Sequence, residues 1–322
     1  GSGKSVCISS IITCLIMNNS PADLRLAILD PKKVELIRFN GLPHLLGQVE
    51  TSVERMLAVL RWAVAEMDNR YKLLETQKSK DLDAFNRKMQ RKGQEPLPRI
   101  VVLVDEMADL MMSAPEQTEQ SLVRLAQLAR GVGIHLVVAT QRPSTNVLTG
   151  VIKANFPARI AFTVASGIDS RVILDTNGAE SLLGRGDMLF LNSDSSSPMR
   201  IQGAMVTDNE IDKIVTFWKK ITPLPEGDAQ EPCPWENLIP STDELSGDAL
   251  VEQAVDMVRG MQKASASLLQ RKLRIGYPRA ARLMDELEKL GVVSPQNPGG
   301  RDRDVLVSRD DYHEDPDREN DQ

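Results

Sequence analysis

The first five residues, Gly1-Ser2-Gly3-Lys4-Ser5, have the types and spacing of a phosphate-binding loop. They match the second half of the pattern G-x-x-x-x-G-K-[ST], in which successive backbone N–H groups hold phosphates. In that pattern Lys4 reaches the β- and γ-phosphates, and the Ser5 hydroxyl ligates Mg²⁺. The alternative interpretation is a terminal Gly-Ser-Gly followed by a chance Lys-Ser pair. The motif predicts a site for ATP and Mg²⁺ formed by Gly1, Ser2, Gly3, Lys4, Ser5 and Val6.

The apolar segment that follows, residues 6–17, predicts a helix opened directly by this loop. The N-terminal dipole of such a helix favours bound anions. The first glycine of the motif and the strand that normally precedes it do not stand before Gly1. We therefore expect the chain to be a fragment of a longer protein and to be catalytically weak by itself.

A second motif lies at residues 100–106, where five apolar residues precede Asp105 and Glu106. This pattern is typical of a Walker B strand, in which Asp105 would hold Mg²⁺ through water and Glu106 would activate the attacking water. Two solvated acids at a strand end are the alternative, which the joint occurrence with GSGKS weakens. Gln141, after the apolar run that starts at 134, is placed to sense the γ-phosphate or the water. A polar turn before Pro143 explains Gln141 equally well.

These residues need an α/β framework to position them. Short apolar, β-branched runs predict strands at 24–30, 100–105, 134–140, 159–164 and 188–191. Because these runs are apolar nearly throughout, we expect a parallel sheet buried on both faces. Helical periodicity predicts helices at 5–17, 52–75, 118–130 and 169–175. Open α/β sheets bind ligands at the carboxyl ends of their strands, where Asp30, Asp105, Glu106, Thr140 and Gln141 stand.

Composition and charge exclude several classes of protein. The chain has 322 residues, 41% hydrophobic and 26% charged, as in ordinary soluble proteins. Aromatic residues make up 4%, too few for a platform that stacks single-stranded nucleic acid. The three cysteines show neither metal-ligand spacing nor a disulfide framework, which fits the reducing cytoplasm. There is no apolar run of about 18 residues, so we expect no transmembrane helix.

Charge is segregated along the chain and suggests its domains. Residues 1–224 carry a net charge of +3, and 225–256 hold nine carboxylates without Lys or Arg. Residues 263–309 carry +5, and 310–322 carry −6. We predict four regions, which are an α/β domain carrying the phosphate loop at 1–221, an acidic Pro-rich linker at 222–248, a winged helix at 249–309 and a disordered acidic tail at 310–322.

The winged-helix prediction rests on three helical segments, 249–259, 265–273 and 278–290, followed by a wing hairpin within 292–307. The third segment is expected to bury one apolar face, formed by Ala280, Leu283, Leu287 and Leu290.

With these residues in place, the chain closely resembles the motor region of the FtsK/SpoIIIE family of DNA translocases. The resemblance rests on eight stretches, which are GSGKS, LDPKKVEL, LPHLLGQV, IVVLVDEMADLMM, ARGVGIHLVVATQRP, IKANFPARIAF, DSRVILD and GAESLLGRGDMLF. It implies a RecA-like P-loop NTPase that assembles as a homo-hexamer around double-stranded DNA. It further implies nucleotide sites completed by an arginine of the neighbouring subunit. Arg130 is the first candidate for that arginine and Arg159 the second, with a surface or DNA-facing arginine as the alternative. Membrane anchoring would come from segments N-terminal to the loop.

The stretch ASASLLQRKLRIGYPRAARLMDELEKLGVV resembles the gamma domain of the same translocases. That domain reads short polarity motifs and, in some members, contacts a Xer-type recombinase. Phosphate contacts are expected from Arg271, Lys272 and Arg274. Base contacts are expected from Arg279 and Arg282, because arginine pairs bidentately with guanine. The wing adds Arg301 and Arg303 as DNA-binding candidates. A protein-binding module is the alternative.

Three functions compete on this evidence. The first is an ATP-driven double-stranded DNA translocase for chromosome segregation and cell division. The second is a transport ATPase with the same motor fold that moves protein through a secretion channel. The third is a regulator in which ATP gates a DNA-binding module. The basic winged helix favours DNA over a protein cargo.

Overall fold

In a computed structural model of the chain, the structure describes residues 3–223, 233–239, 247–261, 263–273, 277–294 and 303–306. The chain divides into two compact units, Gly1–Ile239 and Pro240–Gln322. The first unit thus continues beyond 221, the predicted end of the motor domain.

The first unit is built on a parallel sheet. Its strands are β1 (Leu24–Leu29), β2 (Arg99–Val104) and β3 (Ile134–Val138), in the order β1-β2-β3. Three of the five predicted strands are confirmed here. The central position of β2 brings its carboxyl end between the ends of its two neighbours.

The helices of the first unit agree with the predicted segments and add others. They are α1 (Lys4–Asn18), α2 (Val53–Thr76), α3 (Leu82–Arg91), α4 (Met107–Ser113), α5 (Pro115–Leu128), α6 (Gly150–Asn155), α7 (Gly167–Leu174) and α8 (Asp208–Ile221). Four of them, α3, α4, α6 and α8, have no counterpart among the predicted helices.

Both faces of the parallel sheet are buried, as predicted. Val101 and Leu103 pack into an apolar cluster with residues of α1 and α8. Val102 and Val104, which alternate with them on β2, pack into a second cluster with residues of α2 and α5. Because successive side chains of a strand point to opposite faces, burial on both sides requires an unbroken apolar run. This is the pattern that the sequence shows before Asp105.

A second sheet corrects part of the prediction. Its strands are β4 (Arg159–Phe162), β5 (Asp187–Leu191) and β6 (Met199–Gln202), and both pairings are antiparallel. The prediction that 159–164 and 188–191 join the parallel sheet is therefore wrong. A short apolar run identifies a strand but carries no information about its direction.

Residues 233–239, which we call the strap, lie within the predicted linker yet pack on the rest of the first unit. Trp235 is 1% exposed, and its ring lies 5.4 Å from that of Trp62 on α2, edge to face. Its Nε1 donates a 2.7 Å hydrogen bond to Glu50. Arg55 forms ion pairs with Glu50 and Glu236. A buried indole with a satisfied N–H fixes this part of the chain to the motor.

The second unit contains three helices and a small antiparallel element. The helices are α9 (Gly247–Met261), α10 (Ala266–Leu273) and α11 (Tyr277–Lys289), which agree with the three predicted segments. Antiparallel bridges join Val293 to Val305 and Ala264 to Arg303, where the wing was predicted. Ala280, Leu283 and Leu287 are buried as expected. Leu290 is 61% exposed, so its predicted burial is wrong; it follows the end of α11 and turns away from the core.

Candidate nucleotide-binding site

The phosphate loop enters α1 at Gly3, the residue before the helix. Gly3 has φ +111°, and a Cβ atom there would lie 2.9 Å from the backbone N of Gly186. Glycine is therefore required both by the left-handed backbone and by the close approach of a second backbone. Ser5 and Val6 follow in the first turn of α1, whereas Gly1 and Ser2 lie outside the described residues.

Lys4 joins the two predicted motifs. Its Nζ lies 2.7 Å from Oδ1 of Asp105 and also donates to the Asp105 carbonyl oxygen. Both side chains are largely buried, 11% and 6% exposed. A lysine so placed has its charge compensated by the carboxylate, which limits the cost of burying it. The structure thus brings the GSGKS lysine to the carboxyl end of β2, as the sequence predicts.

Glu106 is held by donors from two elements. Its carboxylate accepts hydrogen bonds from the N–H of Ala108 in the first turn of α4 and from the backbone N–H of Gln141. The Oγ1 of Thr140 donates a third bond of 2.5 Å. Glu106 is 2% exposed. These donors all stabilise an ionised carboxylate and fix its direction.

Two contacts of this arrangement, made by Lys32 and Thr140, were not predicted by the sequence analysis. Lys32 places its Nζ 3.6 Å from Oε2 of Glu106. Thr140, rather than the Gln141 side chain, makes the side-chain contact to Glu106, while the Gln141 side chain is exposed. The stretch LDPKKVEL was a signal for Lys32, because it places a cation just beyond a strand that ends in Asp30.

Asp30 completes the line of polar residues at this edge of the sheet. It is 1% exposed, and its carboxylate accepts bonds from the backbone N–H groups of Lys32 and Leu36. Its role is local, since these bonds shape the loop that carries Lys32. The expectation that the polar strand ends would share one edge is confirmed, with Thr140 at Glu106 on one side and Lys32 on the other.

Arg130 lies far from this edge. It is exposed in the short 3-10 turn Ala129–Val132, immediately before β3 begins. The five residues of β3 separate it from the carboxyl edge, about 16 Å at the usual rise per residue. Partial burial lowers the pKa of His135, and the guanidinium groups of Arg99 and Arg130 lower it further. Arg130 therefore belongs to the amino edge of the sheet and cannot complete the site of its own subunit.

Arg159, the second candidate, is engaged inside its own subunit. Its Nη1 donates to the carbonyl oxygen of Ile173 and to Oδ2 of Asp175, both within 2.8 Å. Hydrogen bonds from Lys153 and Arg159 lower the pKa of the Asp175 carboxyl. A guanidinium held in this way is less free to reach a neighbour than the exposed Arg130.

The oxygen donors at the site suit Mg²⁺. The hydroxyl of Ser5 and the carboxylate of Asp105 are hard ligands of the kind this ion prefers. Within the described ranges, no group of three or more His, Cys, Asp or Glu side chains is placed to hold a metal.

The DNA-binding candidates of the second unit have different environments. Arg271 and Lys272 are exposed in the last turn of α10. Arg303 is 12% exposed and forms ion pairs with Asp285 and Glu288 of α11, so it fastens the wing to this helix instead of facing solvent. Two candidates, Arg274 and Arg301, lie outside the described residues, as do the side chains of Arg279 and Arg282 on α11.

Known sequences resemble this chain over nearly its whole length. Residues 1–145 match the FtsK/SpoIIIE family, and residues 246–308 match the Ftsk gamma domain. The chain is 49% identical over 315 residues to the DNA translocase FtsK of Clostridium tetani, covering 97% of this chain and 42% of that protein. It is 47% identical over 320 residues to the DNA translocase SpoIIIE of Bacillus subtilis, covering 98% and 40%. The chain thus spans less than half the length of these curated relatives.

Solved structures share the fold of the first unit. The pCW3 conjugation coupling protein TcpA, in its monomer form with ATPγS, superposes with a TM-score of 0.59 at 30% identity, covering 67% of this chain and 62% of that one. The cytoplasmic domain of the type VII secretion ATPase EccC from Thermomonospora curvata gives 0.60 at 22% identity, covering 73% and 28%. The predicted α/β motor fold is confirmed. Among the described residues, none of the helices is long and apolar enough to cross a membrane.

Proposed function

Because this chain belongs to the FtsK/SpoIIIE family, we propose that it is the motor and DNA-reading part of an ATP-driven translocase of double-stranded DNA. Its setting is chromosome segregation and cell division. The observation that carries the proposal is the junction of the two motifs, with Lys4 on Asp105 and Glu106 oriented beside them. An ATPase needs this set of groups for phosphoryl transfer, which depends mainly on positioning and charge stabilisation.

The residues of the site divide the chemistry between them. Lys4 pairs with the Asp105 carboxylate in the absence of nucleotide. When ATP binds, the β- and γ-phosphates replace that carboxylate as the anionic partner of Lys4. Ser5 would hold Mg²⁺ directly and Asp105 would hold it through water, and the ion would supply neutralisation of the phosphate charge. Glu106 orients the attacking water and accepts its proton. Thr140 and Lys32 keep Glu106 in place.

The nucleotide site is completed by a second subunit. Arg130 is exposed and lies at the opposite edge of the sheet from Glu106. In a ring of six subunits, the amino edge of one sheet faces the nucleotide of the next, and Arg130 stabilises the charge of the transition state there. Arg159 forms an ion pair with Asp175 of its own subunit, which supports Arg130 rather than Arg159 as the arginine supplied to a neighbouring subunit.

The second unit steers the motor. Its exposed Arg271 and Lys272 grip phosphates, Arg274 adds to them, and Arg279 and Arg282 read bases from α11. Arg301 remains a candidate on the wing, whereas the ion pairs of Arg303 support a structural role. The same surface contacts a Xer-type recombinase. The full-length protein is anchored in the membrane by segments that precede the motor, and the part described here works in the cytoplasm.

Protein transport is not favoured as the alternative. The likeness to EccC is a likeness of fold at 22% identity, whereas the relatives that match both units are DNA translocases. A basic DNA-reading module has no use on a protein cargo.

Displacement of a third strand from duplex DNA tests the function. The full-length protein is expected to displace a triplex-forming oligonucleotide only when ATP is present, because a moving ring must strip it. Glu106→Gln is expected to bind ATP but to lose about 10²–10⁴-fold in turnover, since the amide cannot accept a proton. Displacement should fall with it. Displacement without ATP, or wild-type turnover by Glu106→Gln, contradicts the proposal.

A further inference from the structure

A concentrated basic surface lies at the turn between α2 and α3, away from every site assigned above. A depression of about 440 Å³ is lined there by Lys78, Lys80, Arg87, Lys88 and Arg91, together with Ser79 and Ala84. Among the described residues that line it there is no carboxylate. We call these five cations the basic turn.

The fold builds the basic turn with defined contacts. After α2 ends, Lys78 takes a left-handed backbone conformation with φ +49°, and Asp81 caps the N-terminus of α3. The Nζ of Lys88 donates a 2.5 Å bond to the carbonyl oxygen of Gln77, which ties α3 to the turn. Arg87 and Arg91 are one helical turn apart, so their side chains are neighbours on α3. In the part of the chain that the structure describes, neither arginine has an ion-pair partner.

The exposure of the basic turn indicates the kind of ligand. Lys78, Lys80, Arg87 and Arg91 are all exposed. A small ligand requires an enclosed pocket that removes most of its surface from water, which exposed cations do not provide. A protein partner requires apolar anchors, and Ala84 is the only apolar side chain among the lining residues. Lys80 forms an ion pair with Asp81 at 3.8 Å, whereas Lys78, Arg87 and Arg91 have no ion-pair partner among the described residues. Exposed cations of this kind, without apolar anchors, suit a polyanion, whose binding is driven by counterion release.

The basic turn is separated in space from the candidate nucleotide-binding residues. Leu82, at the start of α3, packs directly on Gly133, the residue before β3. The basic turn therefore lies towards the amino edge of the parallel sheet, whereas Lys4 and Glu106 lie at the carboxyl edge. Changes in Arg87 or Arg91 should leave the nucleotide site intact.

We infer that the basic turn binds the sugar-phosphate backbone of duplex DNA, independently of base sequence. The inference rests on the proposed function, since it gives a DNA motor a further contact to its substrate. It differs from the module on α10 and α11 because it lies in the motor and reads no bases. Its contribution is to the affinity and salt dependence of binding rather than to orientation.

The test compares two double variants of the full chain that each remove two exposed positive charges. Arg87→Gln/Arg91→Gln alters the basic turn, and Lys213→Gln/Lys220→Gln alters α8 as the matched control. Affinity for a random-sequence duplex is measured between 50 and 200 mM salt. Each lost phosphate contact lowers the slope of log affinity against log salt by about 0.9, so a drop of about 1–2 is expected for the first variant. The control slope should equal wild type, and basal ATP turnover should stay unchanged in both.

Three results would overturn the inference. One is a wild-type slope in Arg87→Gln/Arg91→Gln, or an equal drop in the α8 control. The second is tighter DNA binding by that variant, which would show that the basic turn opposes duplex binding. The third is no duplex binding by wild type, which would overturn the proposed function as well. The first two leave the proposed function standing.

Discussion

Charged side chains differ in burial and pairing between the two edges of the parallel sheet. At the carboxyl edge Lys4, Asp105 and Glu106 are buried and bonded to one another or to backbone donors. At the amino edge Arg130 is exposed, and Arg99 shares an exposed ion pair with Asp83. The basic turn continues this exposed edge. One sheet thus carries a closed, paired set of charges at one end and an open, cationic set at the other.

The difference follows from the cost of burial. A buried charge must be paired and hydrogen-bonded, because an unpaired one costs several kcal/mol or more. Pairing fixes geometry, and fixed geometry is what chemistry on a bound nucleotide needs. An exposed arginine has no such cost and keeps its rotamer freedom, so it is available to a molecule outside its own subunit. This difference supports the proposal that the carboxyl edge serves the subunit's own nucleotide and the amino edge serves other molecules.

The largest effect is expected from Arg130→Ala. The variant should bind ATP normally but lose about 10³–10⁵-fold in turnover, the usual contribution of an arginine supplied from a neighbouring subunit. Mixing its subunits with Lys4→Ala subunits should restore part of the turnover, because mixed rings contain interfaces with both groups intact. Steady-state ATP hydrolysis across mixing ratios measures this. No rescue would place Arg130 outside the catalytic interface, and rescue of Arg159→Ala instead would assign the role to Arg159.

A smaller effect is expected from substitutions of Thr140. Because charges at the carboxyl edge are fixed by hydrogen bonds, the hydrogen bond of Thr140 to Glu106 should matter more than the volume of the Thr140 side chain. Thr140→Val keeps the shape but removes the hydrogen bond to Glu106, so kcat should fall about 10- to 100-fold, since a bond to a charged group contributes about 1.5–3 kcal/mol. Thr140→Ser keeps the hydroxyl and should retain most of kcat. Because Thr140 contacts Glu106 and not the phosphates, KM for ATP should change in neither variant. A rise in KM with unchanged kcat would contradict this role.

The smallest effect is expected in the pKa of His135, which reports on the cations at the amino edge of the sheet. The charges of Arg99 and Arg130 help to lower the pKa of His135, so removing one cation should raise it. Arg130→Ala is therefore expected to move the His135 titration to higher pH, towards the usual value, as followed by NMR. Arg142→Ala, at the other edge of the sheet, is the control and should leave the titration unchanged. An unchanged His135 in Arg130→Ala would show that Arg130 points away from this edge.

The sequence predicted which residues meet at the candidate nucleotide site better than it predicted their surroundings. Lys4, Asp105 and Glu106 could be identified because phosphate chemistry imposes strict spacing on the residues that perform it. Thr140 stands at a predicted strand end, but its bond to Glu106 depends on the order of the strands, which spacing does not encode. Lys32 was missed for the same reason, since its contact crosses from one strand end to the next.

Elements with weak apolar patterns were the hardest to predict. Two helices, α3 and α8, are rich in charged residues, and β6 contributes exposed Met199 and Arg200. The start of α8 did carry a signal, because Thr207 and Glu210 form a capping box with the S/T-x-x-E spacing. The strap is different, since Trp235 stands among prolines and acids and only its contacts with Trp62 and Glu50 reveal that it is fixed.

The contact between Gly3 and Gly186 has a mechanical consequence. A motor loses work wherever its load path contains a compliant element, and a side chain is compliant because it turns about its χ bonds. At this point backbone touches backbone, and Gly186 is tied in turn to Gly203 by a 2.8 Å hydrogen bond. In the proposed motor, force applied to β5 and β6 would therefore reach the phosphate loop through backbone contacts rather than through side chains. A Cβ at Gly3 would push the two backbones apart, so in the proposed motor Gly3→Ala is expected to lower the work obtained per ATP.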